Sequence, residues 1–309
     1  MTSSSQLAAS SYHRPVMLRE CLEGLSINPA GTYVDATFGG GGHSRALLEK
    51  LNTGRLLAFD QDDDARAQAN EIKHRSFTFC PTNFRHLKRY LRLNNVTQVH
   101  GILADLGVSS HQIDAPERGF STRFEGPLDM RMNQQGDLTA AEVLNNYSEA
   151  DLHKVLGMYG ELKNAKTAAQ QLVRVRARQP LHTTHDLKAA LHTLAPRGKE
   201  NKYFAQVFQA LRMEVNEELK VLEEFLLQTA EVLLPGGRLV VMSYHSLEDR
   251  LVKNYIQTGK VFGELEKDFF GNPLRPLQAV NRKPIEAAPQ EVEENKRARS
   301  AKLRIAEKK

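Results

Sequence analysis

Residues 32–51 read TYVDATFGGGGHSRALLEKL, and three kinds of local chemistry follow one another there. Thr32 to Ala36 is a short β-forming run that carries an acid near its end. Phe38 leads into four glycines, Gly39 to Gly42, and then His43. Ser44 to Leu51 is amphipathic with helical spacing. Strand, glycine turn and helix in this order bring backbone amides close to a ligand at the carboxyl end of the strand.

The same alternation continues outward. Arg55 to Asp60 predicts a second strand, and Asp62 to Ile72 a helix whose opening acids suit the positive end of its dipole. Ser76 to Cys80 is a weaker strand, Phe84 to Leu93 a helix, and Val99 to Asp105 a strand that ends in an acid. Such alternation predicts a parallel sheet covered by helices. The next buried strand is Gly237 to Ser243. It follows a helix with Val215, Leu219, Leu222, Leu226 and Leu233 at helical spacing and a stop at Pro235-Gly236-Gly237.

Gly237 stands 132 positions after Asp105, whereas a strand-helix-strand unit needs roughly thirty. The excess predicts an insertion, and its content is helical. Leu152, Val155, Leu156 and Tyr159 share a face, as do Ala168, Leu172 and Val175, and Asp186 to Leu194 is another short helix. The expected fold is α/β, a mostly parallel Rossmann-like sheet carrying an inserted all-helical domain. Residues 1–115 and 213–309 form the two parts of the sheet domain, and 116–212 the insertion. Gly119 to Met132 reads as an ordered loop at the insertion's entrance. Ser246 to Gln257 predicts a helix capped by Ser246 and Asp249, and the tail reads as irregular until Lys302 to Ala306.

The chain has 309 residues, 40% hydrophobic and 26% charged, which suits a soluble globular protein, and no run approaches a membrane span. The opening MTSSSQLAASSYHR lacks the apolar core of a signal peptide. Cys21 and Cys80 stand far apart, which fits a reducing compartment and makes the cytoplasm the expected location. The net charge of +5 is unevenly spread. Residues 160–203 hold nine Lys/Arg against three acids, and residues 282–309 nine against five. Two basic segments on a mildly acidic body point to a polyanionic partner.

The glycine turn does not fit a dinucleotide fingerprint, because the sixth position from Gly39 is Ser44 and not a glycine. An adenosine-bearing ligand without a pyrophosphate remains, S-adenosylmethionine being the common one. Asp60 then stands where ribose hydroxyls are held, and Asp105 should face the crevice outside the carboxyl ends of the strands. Tyr244 and His245 follow the later strand in the same way and are free to face the site. His182 and His185 lack metal-ligand company, and Cys80 reads as core, so neither a metal nor a covalent intermediate is expected.

At this point the motifs coincide with a known pattern. His13 to Leu18, Asp35 to Ser44 (DATFGGGGHS), Gly101 to Asp114 (GILADLGVSSHQID), Glu117 to Ser121 with Gly126 to Met132, Phe208 to Leu219, Pro235 to Leu239, Ser243 to Lys253 (SYHSLEDRLVK) and Arg297 to Arg304 occur in order over nearly the whole chain. In this the chain resembles the bacterial ribosomal RNA small subunit methyltransferase H family, also called MraW. The resemblance implies a class I S-adenosylmethionine-dependent methyltransferase acting on the exocyclic N4 of a cytosine in the decoding region of 16S ribosomal RNA, with the small ribosomal subunit as partner. It further implies that Gly41, Gly42 and His43 contact the cofactor, that Asp60 holds its ribose, and that Phe84, Asp105 and Gln112 complete the pocket. Asp105-Leu106-Gly107-Val108 stands where many amino-methyltransferases carry an Asp/Asn/Ser-Pro-Pro-aromatic motif. Asp105, with His245 behind it, is the expected acceptor for the amine hydrogens.

Overall fold

The computed structural model describes residues 15–309; His13 and Arg14 of the first motif lie outside them. Helix α1 (Leu18–Leu25) precedes strand β1 (Thr32–Asp35), helix α2 (Gly42–Leu48), β2 (Arg55–Asp60), α3 (Asp63–Ala69), β3 (Phe77–Pro81), α4 (Leu87–Leu93), β4 (Val99–Asp105) and α5 (Ser110–Asp114). Five helices follow: α6 (Ala140–Asn146), α7 (Glu149–Met158), α8 (Ala165–Arg176), α9 (Thr184–Leu191) and α10 (Glu200–Val215). The chain then returns to the sheet through α11 (Glu218–Val232), β5 (Leu233–Ser243), α12 (Ser246–Thr258), β6 (Leu277–Ala279), β7 (Ile285–Glu286), α13 (Pro289–Glu294) and β8 (Lys302–Lys308).

The sheet order is β3-β2-β1-β4-β5-β8-β6, with β7 also paired to β8. The first five strands are parallel, and β8 runs antiparallel to β5. Strands buried on both faces read as continuous apolar runs, and here neighbouring residues feed opposite layers. Leu57, Ile102 and Leu239 pack with Phe225, Leu226 and Tyr255 on one side. Leu56, Leu103 and Val240 pack with Cys21, Leu47 and Leu303 on the other. A third core, running from Phe120 to Leu211, joins the apolar faces of α6 to α10 to one another.

Several boundaries differ from the sequence reading. Helix α2 starts at Gly42, two residues early, because Gly41 at φ 77° turns the chain directly into it. Pro235-Gly236-Gly237 lies inside β5, where the register to β4 jumps from Val99–Leu233 to Gly101–Arg238. It is thus an irregularity within the strand and not a stop before it. The tail is not irregular before residue 302, since it holds β6, β7 and α13. These elements of three, two and six residues are too short to show a period.

Candidate active site

Strands β1 and β4 are neighbours, yet the chain leaves them toward opposite edges of the sheet. Such a switch point opens a crevice outside the carboxyl ends of the strands, where ligands of open α/β sheets bind. Three strands end there in acids: Asp35, Asp60 and Asp105.

The glycine turn is stitched to β2. Phe38 N–H donates to the Phe59 carbonyl (2.9 Å), and Gly39 N–H to Asp60 Oδ2 (2.8 Å). Asp60 Oδ1 accepts from Asp62 N–H (3.0 Å). Each Asp60 oxygen thus takes one backbone donor and keeps a lone pair for another, the pair of acceptors that a vicinal diol requires. Burial pushes Asp60 up to about 6, backbone hydrogen bonds working against the rise. Space around the turn is unequal. A Cβ at Gly41 would lie 2.6 Å from the Phe38 ring and one at Gly42 2.3 Å from Pro15, whereas at Gly39 the nearest atom would be 3.9 Å away. Gly41 and Gly42 are therefore required by packing, and the turn is open at Gly39.

Asp105 sits between two partners. Tyr244 donates its hydroxyl to Oδ1 (2.7 Å), and His43 Nδ1 lies 3.8 Å from Oδ2. His43 is buried, with Nε2 3.1 Å from the Val16 carbonyl. That contact calls for a proton on Nε2, and it turns Nδ1 toward Asp105. Burial pushes Asp105 up to about 6, with His43 and Tyr244 opposing the rise. Burial and the adjacent Asp105 push the Tyr244 phenol well up, so it stays a donor. Beneath them Asp35 is fully buried, accepting from Ser44 Oγ (2.7 Å) and Thr37 N–H (3.1 Å), while Thr37 Oγ1 accepts from Asp105 N–H (2.7 Å).

The remaining expected residues fall at different places. Phe84 follows β3 and meets Phe225 edge to face at 5.0 Å; the neighbouring Asn83 bonds to Gln61, directly after Asp60. Gln112 is buried, and its amide is used within the protein. It closes a capping box with Ser109 and donates to Asp62 Oδ2 (2.6 Å). His245 faces the start of α12, where Nδ1 accepts from Glu248 N–H (3.4 Å) and Nε2 lies 3.1 Å from Glu248 Oε1. Of the pair Tyr244 and His245, it is Tyr244 that reaches Asp105. The α12 cap is accordingly His245 and not Ser246, whose hydroxyl donates to Glu161, while Asp249 pairs with Arg304. Cys80 is buried and pushed up to about 12 by that burial, the state of an inert core thiol.

Sequence reasoning missed the residue that ties the crevice to the helical segment. Arg118 is buried; its guanidinium holds Asp62 (2.7 Å) and Asp64 and donates to the Arg131 carbonyl (2.9 Å). Asp62 in turn holds Asp60 and Gln112, so one network joins three separate loops. Only its place in the Glu117 to Ser121 motif marked Arg118 in the sequence. Asp35 had a plainer signal, since it ends a strand as Asp60 and Asp105 do.

The sheet order, the glycine turn at its switch point and the strand-end carboxylates define a class I S-adenosylmethionine-dependent methyltransferase. More narrowly, the chain belongs to the MraW methylase family, whose model matches residues 10–309. It is 58% identical to the ribosomal RNA small subunit methyltransferase H of Cytophaga hutchinsonii over 297 residues, covering 96% of this chain and 99% of that one. It is 53% identical to the protein of that name from Flavobacterium johnsoniae (96% and 98% covered) and 50% identical to that from Amoebophilus asiaticus (97% of each).

Proposed function

We propose that this chain methylates 16S ribosomal RNA of the small subunit, and that the acceptor is the exocyclic N4 amine of a cytosine in the decoding region. The names of its relatives support the RNA substrate. One observation supports amine chemistry: a crevice carboxylate, Asp105, held by Tyr244 and faced by His43 Nδ1.

S-adenosylmethionine supplies an electrophilic methyl group when bound. Asp60 would hold the ribose hydroxyls, the turn at Gly39 to His43 would carry the methionine end, and Phe84 would border the adenine. Gln112 would act from behind by fixing Asp62. The cytosine amine is a weak nucleophile because its lone pair is delocalised into the ring. An acceptor on its hydrogens localises that pair, and Asp105 would be that acceptor. Aligning amine and methyl at about 3 to 3.5 Å supplies several kcal/mol without a covalent intermediate. The methylated amine then gives its extra proton to Asp105. We further assign residues 1–115 and 213–309 to the catalytic domain and 116–212 to RNA recognition.

The direct test is transfer from labelled S-adenosylmethionine to small subunits lacking the modification, followed by nucleoside analysis. The expected label is in N4-methylcytidine; label in another nucleoside overturns the assignment of the acceptor.

A further inference from the structure

Within the part of the chain that looks mildly acidic, residues 72–104 contain no Asp or Glu but six Lys/Arg: Lys73, Arg75, Arg85, Lys88, Arg89 and Arg92. The last four fall at i, i+3, i+4 and i+7, the spacing that places residues on one side of a helix. Here the side belongs to α4 and the short turn before it, which begins at Phe84, three residues after β3 ends.

Not all of these charges are free. Arg85 is held by Glu217 (2.7 Å) and Glu224 (2.6 Å), and Lys88 by Glu231. Arg89 and Arg92 are exposed and pair with no carboxylate among the described residues. A depression of about 580 Å³ lies beside them, lined by Arg85, His86, Lys88, Arg89, Arg92 and Gln228 and by no carboxylate. Its wall is braced: Gln228 Oε1 accepts from Lys88 N–H (2.9 Å), and its amide donates to the Arg85 carbonyl (2.7 Å). The three glutamates of α11 and its start thus fix the two inner cations, and the two outer arginines face solvent.

We propose that this face of α4 is a second footing for the RNA, contacting phosphodiesters of a strand that leaves the crevice along the edge of the sheet. The proposal rests on the RNA methyltransferase reading above and adds a contact surface outside residues 116–212. Guanidinium groups suit phosphate because they present a planar fork of donors. Unpaired arginines also cost nothing to release from an existing ion pair. A partner that reads only backbone charge would bind here without base specificity.

The test compares the unaltered chain with the double variant Arg89→Glu, Arg92→Glu. Binding is measured to small subunits lacking the modification and to naked 16S RNA, across a salt series. Calorimetry with S-adenosylhomocysteine and thermal melting serve as controls. The variant should lose roughly tenfold or more in affinity at low salt for both RNAs. Its plot of log affinity against log salt should flatten by about one unit per lost phosphate contact. Cofactor affinity and melting should not change, because both side chains are exposed. Equal affinity and equal salt slope overturn the second footing and leave the methyltransferase reading standing. Loss on assembled subunits alone points to a ribosomal protein and overturns the phosphate assignment. An unaltered chain that neither binds nor methylates subunits overturns both readings.

Discussion

Asp60 and Asp105 carry the same perturbation, each pushed up to about 6 by burial. Between the ordinary carboxylate range near 4 and about 6, the folded chain holds protons that the unfolded chain has released, so these two groups make stability fall as pH rises through that window. A ligand hydroxyl on Asp60 acts in the opposite direction by favouring the carboxylate. S-adenosylhomocysteine affinity should therefore weaken as pH is lowered through about 6, with proton release visible by calorimetry in buffers of different ionisation enthalpy; a flat profile contradicts the ribose role. The transfer rate at saturation should fall over the same range as Asp105 takes up a proton. Tyr244→Phe removes a hydrogen bond that favours ionised Asp105, so the acid limb should move to higher pH with little change in cofactor affinity. An unmoved limb would leave Tyr244 with a packing role only. Asp60 and Asp105 were legible because an acid at the end of an apolar strand has one natural place to point. Tyr244 was half legible, since the sequence put two candidates side by side and only the backbone geometry of α12 separates them.

At the scale of elements, the strand-helix alternation was readable because β1, β2 and β4 are buried on both faces, and the excess length between β4 and β5 was readable as arithmetic. What escaped were features that depend on distant partners: the irregularity at Pro235-Gly236-Gly237, the short β6 and β7, and the Arg118 network. Arg118 joins Asp62 at the head of α3 to the loop that leads into α6. Removing one partner of a buried pair leaves the other uncompensated, so Arg118→Met should cost about 3 to 5 kcal/mol in urea denaturation. Arg118→Lys keeps the charge but not the fork and should cost less. Gly41→Ala meets both a positive φ of 77° and the Phe38 ring, and should cost about 1 to 3 kcal/mol together with cofactor affinity.

Over the whole molecule, the basic character divides by use. Of the nine cations in residues 160–203, Arg176 donates to the carbonyls of Leu144 and Tyr147 and Lys188 to that of Thr122, so both serve the helical core. The other seven, Lys163, Lys166, Arg174, Arg178, Arg197, Lys199 and Lys202, are exposed. Composition alone could not make that separation. Charge reversal at Arg174 and Arg178 should weaken RNA binding, steepest at low salt, and leave S-adenosylhomocysteine binding intact; parallel loss of both in the same calorimetric and filter-binding measurements would mark a folding defect instead.

The position of β8 sets the order in which the molecule can be completed. Among the described residues β6 and β7 pair with no strand but β8, and β8 also covers the outer edge of β5. On the ribosome, every other strand emerges before it. Until residues 302–308 arrive, β5 presents an open edge and two strands wait without partners. Vectorial synthesis thus leaves the nascent chain with an exposed pairing edge until β8 has emerged, the period in which a chaperone would matter most.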